Sequence, residues 1–600
     1  MNNAEPQANS LFYGTVAATG IGIGRAVVVG PSAMFQSVEE RRIDDLQAEI
    51  RSFDLACQEV RADLQRLKQS VCEQLEASEL GLFDVYMSML EDDAFVGKVY
   101  RGIEQGSWAG SSLRRVVETT VDAFNAMEDE YFRAKASDIL DLGVRLLKHL
   151  LDMNTDMVPS NEPVILIGDD VSATTLLEWP RHTLAGVISL KGTSNSHMAI
   201  IARAIELPAV VGIMDLPMQS MQGKAIILDG FRAQVIVNPS PDYKAAYEAF
   251  IRQERVIAKG MRSEFDLPSQ TACGVDIKVL ANTGFITDAK LALQRGAMGV
   301  GLLRTEISFM EYDSFPSEAE QAHVYRQHLA CYAPRPVSMR TLDIGGDKAL
   351  PYFPISEANP FLGWRGVRVT LDHPDIFAVQ VRAMLRASEG FNNLRILVPM
   401  VIGLDEVDQV LALIHRAYRE IREEGFDVVM PKIGVMLEVP AAVLQARAFA
   451  KKVDFLSIGT NDLIQYLLAV DRNNAKVAHL YDPYHPAVIQ TLDMLARSLK
   501  DIDVDINICG EIAGNPAIAP LLVGMGYRCF SMSASSLLRV KWVLRRLTLV
   551  QMIELVTIAK QQETAYTCQK AVLARLDELG VGRAVQKYPA EPIAKMDNIA

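Results

Sequence analysis

Arginines recur at the ends of apolar, strand-like segments in the second half of this 600-residue chain. Arg304 and Arg340 each end such a segment, and Arg472 follows the run that starts at Gly459. Three guanidinium groups that converge on one mouth suit a compact polyanion, such as a phosphate that also bears a carboxylate, because each offers a rigid bidentate fork. The pattern predicts a binding site for a small phosphorylated acid.

Two acidic residues of the same region, Glu438 and Asp462, add carboxylate oxygens. Such ligands beside phosphate oxygens suit Mg²⁺, which usually takes one or two protein carboxylates together with substrate and water. Each residue alone is equally explained by a surface ion pair. Their combination with the arginines favours a magnesium site.

Cys509 lies at the predicted end of a strand, in the run Asn507-Ile-Cys-Gly-Glu-Ile-Ala-Gly514. A strand cysteine is ordinarily a buried core residue. Beside arginines at a barrel mouth, its thiol could instead give a proton to a reactive carbon. The seven cysteines include no C-x-x-C pair, so we expect neither a disulfide framework nor a zinc site.

A histidine in the first half of the chain, His197, lies where a Gly/Ser-rich loop runs into an apolar helical segment. A lone histidine is more often a core or surface residue. Here the pattern places the imidazole at a helix N-terminus, where backbone N–H groups and the dipole stabilise a phosphoryl dianion. The hydroxyls of Thr193, Ser194 and Ser196 add donors. Since histidine can act as a nucleophile, the segment predicts a phosphohistidine without a metal.

Eight strand-like segments alternate with helical ones between Val275 and Ser533, which predicts a (β/α)8 barrel over residues 271–560. Active sites of such barrels lie at the carboxyl ends of the strands, so polar residues at those positions are expected to share one mouth. The predicted strand ends carry Asn282, Arg304, Glu306, Arg340, Asp343, Glu438, Asn461, Asp462, Cys509 and Glu511.

Short β-type runs between Pro163 and Pro239 predict a small α/β domain, which a strand at 25–30 completes. Residues 33–151 are then a helical insertion. Within it, apolar residues from Ile43 to Leu75 step by three and four, the seam of a long helix that packs against another helix. The predicted fold class is α/β: an N-terminal α/β phosphohistidine domain with an inserted helical bundle, followed by a C-terminal TIM barrel. The predicted boundaries are 12–32 with 152–240 for the α/β domain, 33–151 for the bundle, 241–270 for a linker helix, 271–560 for the barrel and 561–600 for a C-terminal tail.

The composition excludes several classes of protein. With 49% hydrophobic and 22% charged residues the chain is globular, and its net charge of −14 argues against nucleic acid or an anionic membrane as main partner. No apolar stretch reaches the ~20 residues of a membrane helix. The first 24 residues contain no Lys or Arg, so a secretory signal is not expected and we predict a cytoplasmic location.

Five long motifs together resemble enzyme I of the phosphoenolpyruvate-dependent phosphotransferase system, a phosphoenolpyruvate–protein phosphotransferase. The resemblance extends from about Phe12 to about Arg545. The motifs are Gly301–Met310, Arg340–Lys348, Asn359–Arg365, Ser457–Asp462 and Cys509–Gly514.

The resemblance implies a role for each matching residue. His197 would be the phosphorylated histidine, and Cys509 the acid that protonates the enolate as pyruvate forms. The residues implied to bind phosphoenolpyruvate are Arg304, Arg340, Asn461, Asp462 and Arg472, and those implied to hold Mg²⁺ are Glu438 and Asp462. It further implies that residues 33–151 dock a small histidine phosphocarrier protein and that the barrel forms a homodimer.

The run Ser194-Asn-Ser-His197 resembles the nitrogen branch of this family, as do Ser172–Thr175, Leu437–Pro440 and Arg472–Asn474. That branch usually begins with a GAF sensory domain, for which the residues before Phe12 are too few. Either that domain is lost or the sequence starts late, and the sequence leaves open whether a sugar-branch or a nitrogen-branch carrier is served. Two alternatives also stay open: an enzyme like pyruvate-phosphate dikinase or phosphoenolpyruvate synthase, and a catalytically silent regulatory binder.

Overall fold

The computed structural model describes residues 9–29, 38–71, 77–125, 130–151, 162–192, 196–213, 215–310, 312–346, 348, 350, 352–474 and 476–585. Within these residues the chain forms two compact units, which meet in the sequence between Ile251 and Arg252.

The first unit contains an eight-stranded mixed sheet in the order β1-β8-β7-β3-β4-β5-β6-β2. The pairs β3–β4, β4–β5 and β5–β6 are parallel. The other pairs in the sheet are antiparallel. Because β3 lies between β7 and β4, it completes the α/β sheet as predicted. The strands are β1 Ser10–Tyr13, β2 Thr15–Ala18, β3 Ile21–Val28, β4 Val164–Gly168, β5 Leu184–Ser189, β6 Ala209–Val211, β7 Ala225–Asp229 and β8 Gln234–Val237.

Among the described residues between β3 and β4, five helices form the predicted helical insertion. The first is a long helix, α1, that buries the seam residues Phe53, Val60 and Leu64 in a core shared with the last helix of the insertion, as the three-and-four spacing predicts. The same core contains residues of β4 and β5, so the insertion packs on one face of the sheet. The helices of this part of the chain are α1 Leu46–Val71, α2 Ala77–Met89, α3 Val96–Glu104, α4 Ala109–Asn125, α5 Glu130–Leu150, α6 Ala173–Glu178, α7 His197–Ala204 and α8 Pro241–Ser263.

The second unit is built on a closed barrel of eight parallel strands, which confirms the predicted TIM barrel. Each strand pairs with the next along the chain, and the last pairs with the first. Register pairs Arg304 with Arg340 and Gly459 with Cys509, so strand ends lie side by side at one mouth. The strands are β9 Lys278–Thr283, β10 Val300–Arg304, β11 Val337–Arg340, β12 Leu394–Val398, β13 Lys432–Leu437, β14 Phe455–Gly459, β15 Asp505–Cys509 and β16 Cys529–Met532.

Helices pack their apolar faces against the outside of the barrel in one large core. Among the described residues, no helix has both the length and the apolarity needed to cross a membrane. The helices are α9 Ile286–Gln294, α10 Glu306–Phe309, α11 Glu318–Tyr332, α12 Val367–Asp372, α13 Pro374–Ala387, α14 Leu404–Glu423, α15 Pro440–Leu444, α16 Ala446–Phe449, α17 Thr460–Leu468, α18 Pro486–Leu499, α19 Ala519–Met525, α20 Ala534–Arg546, α21 Leu549–Lys560, α22 Ala565–Glu578 and α23 Gly582–Val585.

Helix α11 shows how the sequence fixes an element beside the barrel. Ser317 accepts a hydrogen bond from the backbone N–H of Glu320, and the Glu320 carboxylate accepts one from Ser317. This capping box satisfies backbone donors that a helix start otherwise leaves unpaired. The helix that follows buries His328, whose Nδ1 finds no hydrogen-bond partner among the residues that the structure describes.

Burial lowers the pKa of His328 from 6.5 to about 4, which makes the stability of the chain depend on pH. The unfolded chain takes up this proton at a higher pH than the folded chain, so stability is lost as pH falls from 6.5 towards 4, by about 3 kcal/mol over the whole range. We expect His328→Leu to lose less stability between pH 7 and pH 4.5 than the unmodified chain in urea unfolding. The matched control is His323→Leu, which changes an exposed residue of the same helix and should follow the unmodified chain. Equal pH dependence in His328→Leu would contradict the expectation.

Candidate active site

The mouth of the barrel at the carboxyl ends of the strands gathers most of the residues singled out in the sequence. Arg304, Arg340 and Cys509 are the last residues of β10, β11 and β15. Glu438 follows β13 directly, and Asn461 and Asp462 lie in the first turn of α17 after β14. Because the strands are parallel and closed into a barrel, these positions share one face.

The carboxylate of Asp343 is the most heavily paired charge at this mouth. It is completely buried, and its Oδ2 lies 3.0 Å from Arg340 Nη1, 3.1 Å from Lys348 Nζ and 3.1 Å from Arg365 Nη2. Burial alone would raise the pKa of Asp343, but the three cations outweigh it and hold the pKa well below its usual range. Asp343 is therefore a permanent anion that fixes three cationic side chains.

Arg365 connects Asp343 to Asp462. Its side chain is fully buried, and its guanidinium pairs with Asp343 and also with Asp462, at 3.4 Å between Nη1 and Oδ1. The same Nη1 donates to the Tyr466 hydroxyl at 3.2 Å, and that hydroxyl donates to the Phe361 carbonyl at 2.6 Å. The planar guanidinium of Arg365 thus joins the segment just after β11 to the start of α17.

Arg340 is held from two sides, whereas Arg304 is exposed. The Arg340 guanidinium pairs with Glu306 and with Asp343, and its backbone carbonyl accepts a hydrogen bond from the Thr305 hydroxyl at 2.7 Å. Nε of Arg340 is buried and has no hydrogen-bond partner within the described part of the chain. Arg304, on the neighbouring strand, has its side chain in solvent at the rim. The two arginines therefore offer one fixed and one adaptable cation to an anionic ligand.

Glu438 is a buried carboxylate in a setting opposite to that of Asp343. Its Oε1 accepts a hydrogen bond from the Met400 backbone N–H at 2.7 Å, and no ion pair joins it to a cation among the described residues. Burial, followed by the negative charges of Asp462 and Asp343, raises the pKa of Glu438 to about 8. The positive charges of Arg365 and Arg340 offset only part of this rise in pKa.

The donor set fits a hard divalent cation. Glu438 and Asp462 are close enough to repel each other, and a cation held by both would remove that repulsion. Gly459 leaves room beside the carboxylate, because a Cβ at that position would lie 2.7 Å from Glu438 Oε2. No cluster of three or more metal-ligating side chains occurs among the described residues. Two protein carboxylates with substrate and water completing the shell are what Mg²⁺ prefers, whereas zinc takes more protein ligands.

Asn461 and Arg472 complete one side of the mouth. The Asn461 side chain accepts from the Glu511 backbone N–H at 2.9 Å and donates to the Glu511 carboxylate at 3.3 Å. The Arg472 backbone N–H donates to the side chain of Gln465 at 3.1 Å, and Arg472 Nη2 lies 3.9 Å from Asp462 Oδ1. These contacts hold the loop after α17 in place, with the Arg472 guanidinium beside the Asp462 carboxylate.

Cys509 is buried inside the barrel at the level of the charged groups. Burial raises the pKa of its thiol to about 11. Near neutral pH the group is therefore a thiol that carries its proton, the state required of a general acid. An apolar layer formed with Leu302, Leu397, Met436 and Phe455 surrounds it.

His197 is the first residue of α7 in the other unit. The Ser196 hydroxyl caps this helix by accepting a hydrogen bond from the Ala199 backbone N–H at 3.3 Å. Thr193 and Ser194, the other hydroxyl donors expected beside the histidine, lie outside the described residues. The N-terminal position of the histidine on a helix is the one that the loop-to-helix pattern predicts.

Several contributors to the mouth received no role in the sequence prediction, among them Asp343, which was expected only as a polar residue at a strand end. Arg365 and Lys348 lie in the long connection after β11, and Glu306, although expected at a strand end, had no partner assigned. The available signal was their position inside the motifs that carry the family resemblance: Glu306 in Gly301–Met310, Lys348 in Arg340–Lys348 and Arg365 in Asn359–Arg365. Periodicity alone could not have identified them.

Comparison with known proteins agrees with this fold. Residues 258–549 match the PEP-binding domain of PEP-utilising enzymes, residues 13–135 match their N-terminal domain and residues 160–233 their mobile domain. A protein of Escherichia coli described as phosphoenolpyruvate-dependent phosphotransferase system is 39% identical over 95% of this chain and 76% of its own length. Phosphoenolpyruvate-protein phosphotransferases of a Bacillus species and of Staphylococcus aureus are 37% and 35% identical, over 89% and 92% of this chain and 93% and 98% of their own lengths.

The barrel with its charged mouth, the α/β unit and the helical insertion define a phosphoenolpyruvate-utilising enzyme. Within that class, the chain belongs to enzyme I, the phosphoenolpyruvate–protein phosphotransferase family. It is a phosphotransferase that binds phosphoenolpyruvate and phosphorylates a phosphocarrier protein, in a family that generally depends on Mg²⁺. The dikinase-like and silent-binder alternatives are not favoured.

The pairing of Arg365 gives a stability prediction. Arg365→Met leaves Asp343 and Asp462 buried with one cation fewer, and we expect it to destabilise the chain by about 3–5 kcal/mol. Arg416→Met removes an exposed pair with Glu420 instead and should cost less than about 1 kcal/mol. Urea unfolding of the two variants measures both values. Equal stabilities would show that Arg365 does not fix the carboxylates.

Proposed function

We propose that the chain transfers the phosphoryl group of phosphoenolpyruvate to its own His197 and from there to a histidine of a small phosphocarrier protein. The observation that carries this proposal is the grouping of Arg340, Glu438, Asp462 and Cys509 at one barrel mouth. Fixed cations, carboxylates for a divalent cation and a protonated thiol are the groups that release of pyruvate from phosphoenolpyruvate requires.

Arg304, Arg340 and Arg472, with Asn461 and Asp462, are the proposed substrate-binding residues. Arg340 is held by Glu306 and Asp343, so its donors need no reorganisation when a phosphate arrives. Arg304 is exposed at the rim and would turn towards the ligand on binding. The arginines neutralise the phosphoryl oxygens, and most of the catalytic effect in such a transfer comes from positioning and charge.

Glu438 and Asp462 are the proposed ligands of Mg²⁺. When bound, the ion would neutralise phosphoryl oxygens and fix their orientation. The ion pair between the Arg365 guanidinium and the Asp462 carboxylate holds Asp462 in place. The Met400 backbone N–H orients Glu438 in the same way.

Cys509 is the proposed acid of the second half of the reaction. Once the phosphoryl group has left, the enolate carbon needs a proton, and the buried thiol holds one near neutral pH because its pKa is about 11. His197, at a helix N-terminus, is the proposed acceptor, since helix N–H groups favour the negative phosphoryl group.

The remaining assignments concern partners and location. Residues 33–151 are proposed to dock the carrier, and the barrel unit is proposed to form a homodimer. Neither nucleic acid nor a membrane is proposed as a partner, and a cytoplasmic location stays a prediction. Measuring phosphotransfer to the purified sugar-branch carrier and to the purified nitrogen-branch carrier would show which of the two the chain serves.

The acceptor role of His197 is tested with labelled phosphoenolpyruvate and Mg²⁺. We expect the unmodified chain to acquire acid-labile label and His197→Ala to acquire none, because the nucleophilic imidazole is missing. His182→Ala changes an exposed histidine of the same unit and should label normally. Label retained in His197→Ala would overturn the assignment.

The metal assignment is tested by titrating Mn²⁺, observed by electron paramagnetic resonance, in place of Mg²⁺. Glu438→Gln keeps the shape but loses the charge, and we expect at least about tenfold weaker binding of the ion. Asp505→Asn changes a carboxylate at the start of β15, the opposite end of the barrel, and should bind normally. Unchanged affinity in Glu438→Gln would contradict the site.

A further inference from the structure

A chain of buried polar side chains leads through the barrel interior to the Cys509 sulfur. The Ser457 hydroxyl, on the neighbouring strand β14, donates to Cys509 Sγ at 3.4 Å. The Asn507 amide donates to Ser457 Oγ, also at 3.4 Å. The thiol itself donates to the Ile458 carbonyl at 3.3 Å. Ser457 is completely buried, so no water competes for its hydroxyl.

The hydrogen-bond pattern fixes which way the serine proton points. Asn507 supplies a donor to Ser457 Oγ, so the oxygen acts there as an acceptor and its own proton is directed to the sulfur. Gly301 makes room for this arrangement, because a Cβ on Gly301 would lie 2.9 Å from Asn507 Nδ2 and 2.5 Å from Ser531 Oγ. Residues of β10, β14 and β15 thus together orient the Ser457 hydroxyl towards the Cys509 sulfur.

This donor matters when the thiol loses its proton. As the enolate carbon is protonated, the carbon–carbon π pair becomes the new C–H bond, the S–H bond breaks and its electron pair remains on sulfur. A thiolate buried in this apolar layer is costly. The charged groups whose fields reach the sulfur are Glu438, which opposes the thiolate, and Arg340 and Arg304, which favour it. The Ser457 hydroxyl is the direct neutral donor able to stabilise it.

We propose that Ser457, oriented by Asn507, is a positioning residue that stabilises the Cys509 thiolate during proton transfer between the enzyme and C3 of pyruvate. The inference rests on the proposed role of Cys509 as the acid. It assigns Ser457 to the protonation half of the reaction and leaves phosphoenolpyruvate binding to the arginines.

The experiment follows exchange of the pyruvate methyl protons in D₂O by NMR, with the full chain and Mg²⁺. In this direction the thiolate removes the proton. Ser457→Ala should exchange roughly 10- to 100-fold more slowly, the range expected for a lost hydrogen bond to a charged group. The rise of the exchange rate with pH should move to higher pH, because the thiolate forms less readily. The KM for phosphoenolpyruvate should not change.

Three further variants make the outcome specific. Ser457→Thr keeps a hydroxyl and should restore the exchange rate; should it fail to fold, Asn507→Ala, which loses the orienting amide, must show the same defect more weakly. Ser531→Ala removes an equally buried hydroxyl that bonds to the Ala281 carbonyl instead and should exchange normally. A pH profile of Ser457→Ala identical to that of the unmodified chain would overturn the inference.

Cys509→Ala separates this inference from the proposed function. If Cys509→Ala exchanges at the normal rate, the acid is another group and both proposals fail. If Cys509→Ala abolishes exchange while Ser457→Ala matches the unmodified chain, Cys509 keeps its role and only the inference on Ser457 fails. Loss in Cys509→Ala with partial loss in Ser457→Ala supports both.

Discussion

One buried carboxylate organises the catalytic end of the barrel. Asp343 has no access to solvent, and a buried charge of this kind persists only when opposite charges satisfy it. Its three cations come from the end of β11 and from the long connection that follows it, so pairing ties that connection to the barrel. Replacing such a network by apolar residues is often no less stable, which means that its value lies in geometry. The pairing with Asp343 holds the guanidinium groups of Arg340 and Arg365 in one orientation, which unpaired arginine side chains would not keep.

The buried carboxylates of Asp343 and Glu438 have pKa values that are shifted in opposite directions. Cations surround Asp343 and hold it charged, whereas Glu438 faces Asp462 and Asp343 and has a raised pKa. Environments that push the pKa values of neighbouring acids apart commonly separate structural from functional roles. Asp343 fixes the arginines, and these arginines offset only part of the rise in the pKa of Glu438. A cation held between Glu438 and Asp462, as proposed above, would lower the pKa of Glu438.

Much of this architecture could be predicted from the sequence. The eight strands follow from alternating apolar segments, and the shared position of Arg340, Glu438 and Cys509 follows from parallel strands closing into a barrel. The partners of these residues could not be predicted in the same way. Arg365 reaches Asp343 across 22 residues of irregular chain, whose path has no periodicity to reveal it. Ser457 is a small polar residue in an apolar strand, and its role depends on side-chain directions that only the barrel register sets.

The proposed role of Cys509 as an acid places two opposing demands on its position. Burial keeps the thiol protonated near neutral pH, which an acid requires, but the same burial penalises the thiolate that is left once the proton is gone. A site open to water would relieve the thiolate and also release the proton too early. A donor fixed inside the barrel resolves the conflict, because the hydrogen bond from Ser457 strengthens only as charge develops on sulfur. Interactions that strengthen only as the reaction proceeds lower the barrier without stabilising the starting state.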